Sequence, residues 1–297
     1  MKIEFTKMHG LGNDFVVIDT LRESSLAGLD TDELSSLAAH LCNRRLGIGA
    51  DQLLLLCQSH EADFRMRIFN ADGSEVEMCG NGIRCLARYI WERGLSDKAV
   101  LDIETLAGII RPEARGEMVR VDMGMPEFSP EKIPVDIRES DRTVLPETAV
   151  FLDYPLEIEG RVFDVTCLSM GNPHCVTVID EVETFPVSYY GPLIENHRMF
   201  PARTNVEFIE ILNDREIRMR VWERGAGETM ACGTGASAAA VAASLKGSTG
   251  RDVTVRLLGG DLTIEWAEDG HVYMTGPAVT VFDGVIDTEI LVGEEIC

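Results

Sequence analysis

Two cysteines in this chain occupy the same point of one motif. Cys79-Gly80-Asn81-Gly82 and Cys232-Gly233-Thr234-Gly235 lie 153 positions apart, and at that offset Arg65-Met66-Arg67-Ile68-Phe69 falls on Arg218-Met219-Arg220-Val221-Trp222 without a gap. Over residues 63–94 against 216–247 nine pairs are identical, well above what composition alone gives, so the chain holds an internal repeat. A cysteine before a glycine-rich turn that opens a helix sits among unpaired backbone N–H groups at the positive end of the helix dipole. Both favour thiolate over thiol, and the expectation is a pair of thiols with lowered pKa values. Two such thiols facing one carbon could remove a proton from one face and return one to the other. The same N–H clusters would hold a carboxylate and spread the charge formed when the adjacent carbon is deprotonated.

The elements that must position these thiols repeat as well. In each copy a strand precedes the motif: Phe64, Met66 and Ile68 alternate with Arg65 and Arg67, as Ile217, Met219 and Val221 do with Arg218 and Arg220. A helix follows it. Ile83, Leu86, Ala87 and Ile90 keep helical spacing up to Arg93 and a stop at Gly94. The second helix is almost purely small residues from Ala236 to Ala243 and ends at Lys246-Gly247, a composition that lets neighbouring strands approach closely. Upstream, a strand and the glycine-rich turn Met8–Asp14 lead into the apolar strand Phe15–Asp19, and a related turn and strand recur at Gly171–His174 and Val176–Asp180. The offset there is 159, so the copies differ by small insertions. Residues 31–42 read as an amphipathic helix capped by Asp30 or Thr31, with Leu34, Leu37, Ala38 and Leu41 on one face. The prolines between 111 and 150 place the crossover between halves near Gly124-Met125-Pro126, and the tail after Gly276-Pro277 is strand-like again. The expected fold is α/β in the α+β sense, with two similar pseudo-symmetric half-domains, residues 1–125 and 126–276. Each half would be a curved mixed or antiparallel sheet around a central helix, with residues 277–297 able to pack back on the first half and the active site in the cleft between the halves.

Composition narrows the function classes. A chain of 297 residues can bury two cores, and 45% apolar with 26% charged residues is a globular balance. A net charge of −23 repels nucleic acid and anionic membranes, so neither is expected as a partner. No apolar run has the length of a spanning helix and the first residues lack a signal-peptide core, which points to the cytoplasm. Eight cysteines are scattered without a Cys-x-x-Cys pair, an arrangement suited neither to a disulfide framework nor to a zinc site, and no metal is expected. Cys42, Cys57, Cys85, Cys167 and Cys297 read as small buried hydrophobes.

Met8–Phe15, Gly47–Gln52, Phe69–Ser74, Met78–Cys85, Gly171–His174, Arg203–Phe208 and Glu223–Thr229 with Ala231–Gly235 run in one order along nearly the whole chain. In this the sequence resembles the diaminopimelate epimerases. The resemblance implies an isomerase that uses no cofactor, interconverts LL- and meso-diaminopimelate on the way to lysine and the cell-wall cross-link, and assembles as a homodimer. Carried over by motif, Cys79 and Cys232 are the acid–base pair, His174 and Glu223 modulate the thiol pKa values, and Asn13, Gln52, Asn70, Gly80, Asn81, Asn172, Asn205, Glu223, Arg224, Gly233 and Thr234 bind substrate. The residue types suit the task. Asn and Gln both donate and accept, as an α-amino-carboxylate requires, and an arginine can grip a carboxylate with two parallel bonds. Two other readings use the same cysteines: an isomerase of the proline racemase or hydroxyproline epimerase kind, and a thiol–disulfide redox protein.

Overall fold

The repeat of motifs is a repeat of strands and helices in the computed structural model of the chain, which describes residues 2–23, 26, 28–136 and 151–287. Two units separate, Met1–Val121 with Gly276–Cys297 and Asp122–Thr275. The first runs β1 (Lys2–Gly10), β2 (Asn13–Asp19), α1 (Thr31–Cys42), β3 (Gln52–Cys57), β4 (Phe64–Asn70), β5 (Glu75–Val76), α2 (Gly80–Glu92), β6 (Ile103–Thr105), β7 (Gly108–Ile110), β8 (Glu113–Arg115) and β9 (Met118–Asp122). The second holds β10 (Phe151–Ile158), β11 (Arg161–Ser169), β12 (Pro173–Val178), α3 (Val187–Glu195), β13 (Asn205–Asn213), β14 (Glu216–Glu223), β15 (Gly227–Thr229), α4 (Gly233–Leu245), β16 (Asp252–Leu257), β17 (Gly260–Trp266) and β18 (Val272–Pro277). A last strand, β19 (Val279–Asp287), pairs with β1.

The sheet of the first unit has the order β19-β1-β2-β3-β4-β6-β7 with β5 on β4; the second unit repeats it as β10-β11-β12-β13-β14-β16-β17, extended by β18 and with β15 on β14. Parallel pairs fall at matching places, β2/β3 and β4/β6 in one, β12/β13 and β14/β16 in the other; the remaining neighbours in these orders are antiparallel. The architecture is therefore α+β in two pseudo-symmetric, sheet-rich halves, as the repeat implied.

Local chemistry explains the elements. Asp30 accepts from the Glu33 amide while Glu33 reaches back to the Asp30 amide, a capping box that starts α1 where the sequence places it. In β3 the run Leu53–Leu56 is wholly buried because helices cover both faces: Leu53 and Leu55 join the core with Leu34, Ala38 and Leu41 of α1, and α2 lies against the strand as well. Gly94 and Gly247, with φ of +63° and +70°, end α2 and α4 in the left-handed conformation that glycine adopts without penalty.

In the second unit Phe163, Phe185, Phe208 and Tyr190 pack edge to face, stacked or tilted at centroid distances of 4.8–6.3 Å. Beside them α3 crosses Trp222 at Gly191, where an added Cβ would lie 2.5 Å from the indole Cγ. Gly191→Ala is thus expected to destabilise the second unit by about 1–3 kcal/mol, since neither the ring nor the helix backbone can give way cheaply. Thermal denaturation should show a fall in Tm of several degrees; an unchanged Tm would mean that α3 shifts freely on Trp222.

Candidate active site

In the first unit the expected site residues gather at one edge of the sheet. Asn13 begins β2, Gln52 begins the parallel neighbour β3, and Asn70 ends the antiparallel β4, so all three sit at the same strand ends, where α2 also starts. Asn13 Nδ2 donates to Asp51 Oδ2 at 2.9 Å, and Arg44 holds the other oxygen of Asp51 at 2.7 Å. A carboxylate only accepts, so the amide cannot be turned round. Its carbonyl Oδ1 consequently faces Cys79 Sγ at 3.7 Å and accepts from Asn81 Nδ2 at 3.2 Å. Cys79 is the N-cap of α2 and accepts from the Gly82 amide at 3.4 Å. Asn81 is braced from behind by Arg84, a fully buried guanidinium that donates to Asn81 Oδ1 at 2.8 Å and to the carbonyls of Gly80 and Pro277. Gln52 Nε2 donates to Asn70 Oδ1 at 2.8 Å, and the buried Gln52 Oε1 has no hydrogen-bond partner among the described residues.

The second unit builds the corresponding edge. Asn172 precedes β12, Asn205 begins β13 and Glu223 ends β14, with Cys232 as N-cap of α4. Asn205 donates to the Pro173 carbonyl and accepts from the Arg224 amide, both at 2.9 Å, which fixes the turn after β14. The same turn is tied by Glu195, which accepts from the Gly225 amide at 2.9 Å and from Trp222 Nε1 at 2.7 Å. The Arg224 guanidinium reaches the Ala202 carbonyl at 3.3 Å, and the Thr229 hydroxyl donates to Glu223. His174 is fully buried between Glu207 Oε1 at 2.7 Å from Nδ1 and Asn172 Oδ1 at 2.9 Å from Nε2. Asn172 Nδ2 in turn lies 3.4 Å from Thr234 Oγ1, which is 3.5 Å from Cys232 Sγ. Because Asn172 offers His174 its carbonyl, Nε2 must carry a proton. The other ring nitrogen faces Glu207, whose carboxyl burial pushes above its ordinary value while His174 pulls it back.

The thiols depart from expectation in one respect. A helix start was expected to lower both pKa values, yet burial pushes the Cys232 thiol well above its ordinary value, and the carboxylates of Glu223 and Glu207 push it further. The Thr234 hydroxyl and the Gly235 amide pull the other way without winning, and the sulfur makes no capping hydrogen bond. Of the other cysteines, Cys42, Cys85 and Cys167 are buried as expected, Cys175 is buried as well, Cys57 is partly exposed, and Cys297 lies outside the described residues. Burial raises Cys42 and Cys85 to about 12.

Residue types alone did not single out Asp51, Arg84 and Glu207, which hold expected site residues, or Arg44 and Glu195, which hold Asp51 and the turn after β14. Glu207 had a signal available. At the repeat offset its counterpart is Leu54, a fully buried position.

A family model described as diaminopimelate epimerase matches residues 5–129 and 166–281. The diaminopimelate epimerase of Moorella thermoacetica is 54% identical over 95% of this chain and 98% of its own length. That of Acetivibrio thermocellus is 49% identical over 96% and 99%. Among solved structures, a PhzF-family phenazine biosynthesis protein of Bacillus anthracis superposes with a TM-score of 0.67 at 18% identity, covering 97% of this chain and 99% of that one. A hydroxyproline epimerase of Agrobacterium vitis does so with a TM-score of 0.64 at 16% identity, covering 96% and 92%. At those identities the structures share the fold and nothing finer.

The loop that carries Asn13 is held by charge, and the hold depends on pH. Burial alone would raise the Asp14 carboxyl, but the hydrogen bonds and charges of Arg44 and Lys7 outweigh it and keep the group well below the usual carboxylate range. A folded-state pKa below the unfolded value near 3.8 stabilises the fold above that value and ceases to do so as pH falls through the folded one. Denaturant midpoints measured as a pH series should therefore decline below about pH 4. Asp14→Asn should be less stable at neutral pH and decline less on acidification; an identical slope in the variant would remove Asp14 from the linkage.

Proposed function

The chain belongs to the diaminopimelate epimerase family, and from that membership we propose that it interconverts LL- and meso-2,6-diaminopimelate, an isomerisation that supplies lysine and cell-wall precursors. The observation that carries the mechanism is the recurrence, in both halves, of a cysteine as the N-cap of a helix at the edge where asparagine and glutamine side chains collect. One sulfur, as thiolate, takes the α-proton from one face of the substrate carbon, and the other, as thiol, delivers a proton to the opposite face. The two sulfurs carry one proton between them, and turnover exchanges its location, so the reverse reaction begins where the forward one ends. Helix-start amides of Gly80, Asn81, Gly233 and Thr234 bind the carboxylate at the reacting centre and spread the charge that builds up on deprotonation. Gln52, Asn70, Asn205 and Arg224 bind the remaining amino and carboxylate groups, and His174 and Glu223 tune the thiols. No pyridoxal phosphate enters the scheme, and the enzyme works as a homodimer in the cytoplasm. The proline-type alternative rests on shared fold alone and has no observation of its own.

The test is exchange. With LL-diaminopimelate in D2O and no pyridoxal phosphate or metal added, deuterium should enter the α-carbon as the meso isomer forms, while proline should not exchange. Cys79→Ala and Cys232→Ala should each reduce turnover by about 10²–10⁴-fold or more with the fold intact, and Cys→Ser at either position should leave slow activity. Near-normal turnover in either alanine variant would rule out the two-thiol scheme.

A further inference from the structure

The buried pair behind Cys232 has no counterpart in the other half. Across β12–β13 the register sets His174 opposite Asn205, and across β2–β3 it sets Phe15 opposite Gln52, so Phe15 takes the place of His174 and Leu54 that of Glu207. The glycine early in each helix reports the same exchange. A Cβ on Gly82 would meet Leu54 at 3.2 Å and Phe15 at 3.5 Å, whereas one on Gly235 would meet Glu207 Oε1 at 2.8 Å and Cys232 Sγ at 3.3 Å. The charge is inverted too: the repeat offset pairs the fully buried Arg84, electrostatically coupled to Cys79, with Ser237. A leucine and a phenylalanine complete this core in the first unit, so packing does not require a fully buried carboxylate in the second. Glu207 nevertheless stands there with Oε1 on His174 and Oε2 without a hydrogen-bond partner among the described residues. Burying such a group unpaired is costly, which points to a use.

We propose that Glu207 is a positioning residue for the reaction: from beside the start of α4 it anchors the chain His174–Asn172–Thr234 that ends at Cys232 and, together with burial and Glu223, makes this half-site the one that rests as the proton donor. This rests on Cys232 being one of the two acid–base thiols, as proposed above. The charged and titratable groups that face the sulfur are Glu207 from β13 and Glu223 from β14, with His174 from β12 behind Glu207. Both carboxylates oppose a negative charge on the sulfur, and the Glu207–His174 contact holds Asn172 in the orientation that binds Thr234. The two halves therefore do not rest alike. Cys232 waits as the acid and Cys79, with Arg84 nearby, as the base.

Alkylation by iodoacetamide over a pH series, with the Cys79 and Cys232 peptides quantified by mass spectrometry, gives a titration midpoint for each thiol. In the unaltered enzyme the Cys232 midpoint should lie above that of Cys79. Glu207→Gln should lower the Cys232 midpoint by about one pH unit or more and leave Cys79 unmoved, while Glu207→Asp should retain most of the elevation. A wild-type Cys232 midpoint at or below that of Cys79, or an unshifted midpoint in a Glu207→Gln variant with native circular dichroism, would overturn the proposal. The wild-type comparison decides the matter even if the variants fail to fold. None of these readings needs turnover, so their failure is distinct from a failure of the deuterium exchange.

Discussion

A sulfur at the start of a buried helix is pulled in two directions. The helix amides favour its anion, and removal from water opposes it. Cys232, only 6% exposed, shows which wins: its thiol is driven upward. Nearly everything around the two half-sites answers this conflict. Polar side chains are collected at the strand ends, amides are pinned by distant carboxylates so that they present a chosen atom, and the helices begin with glycines that leave room at the N-terminus. Under the two-thiol scheme proposed above each sulfur ionises for part of the cycle, which calls for an environment that can favour either state, and such an environment is built from groups with a fixed orientation.

Much of this was legible in the chain. The capping box at Asp30 and Glu33, the glycine stops at Gly94 and Gly247, and the alternation of β4 and β14 are local signals, and local signals survive in one dimension. What stayed hidden was set by burial and by long-range contact. Glu207 stands in the run Val206-Glu207-Phe208-Ile209, where strand alternation would turn it to solvent, but α3 and α4 both lie against β13 and leave no solvent face. Asp51 and Asn13 are far apart in sequence and meet only because β2 and β3 run parallel. The thiol pKa was misjudged for the same reason: a helix start can be read from spacing, whereas the degree of burial depends on which strands close over it.

The two halves have kept their strand order while diverging in how they fill it. Around α2 the core uses leucine, phenylalanine and a buried arginine; around α4, a helix of alanine, serine and glycine lies against strands carrying a histidine and a glutamate. Backbone topology tolerates that exchange because the hydrogen-bond ladders are the same. Chemistry does not. In the scheme proposed above, proton transfer to and from one carbon requires the two ends of the transfer to differ at any instant, and chemically dissimilar surroundings would make them differ before substrate arrives.

Gln52, proposed above to bind substrate, illustrates how selectivity can be stored in a fold. Its buried carbonyl oxygen faces no donor among the described residues, and an unmet acceptor of this kind costs about 1–3 kcal/mol. A ligand bringing an ammonium N–H to that oxygen recovers the cost, and a deaminated analogue of the same shape leaves it outstanding. Discrimination of this kind is settled when the chain folds, and it is steeper than the strength of one hydrogen bond would suggest.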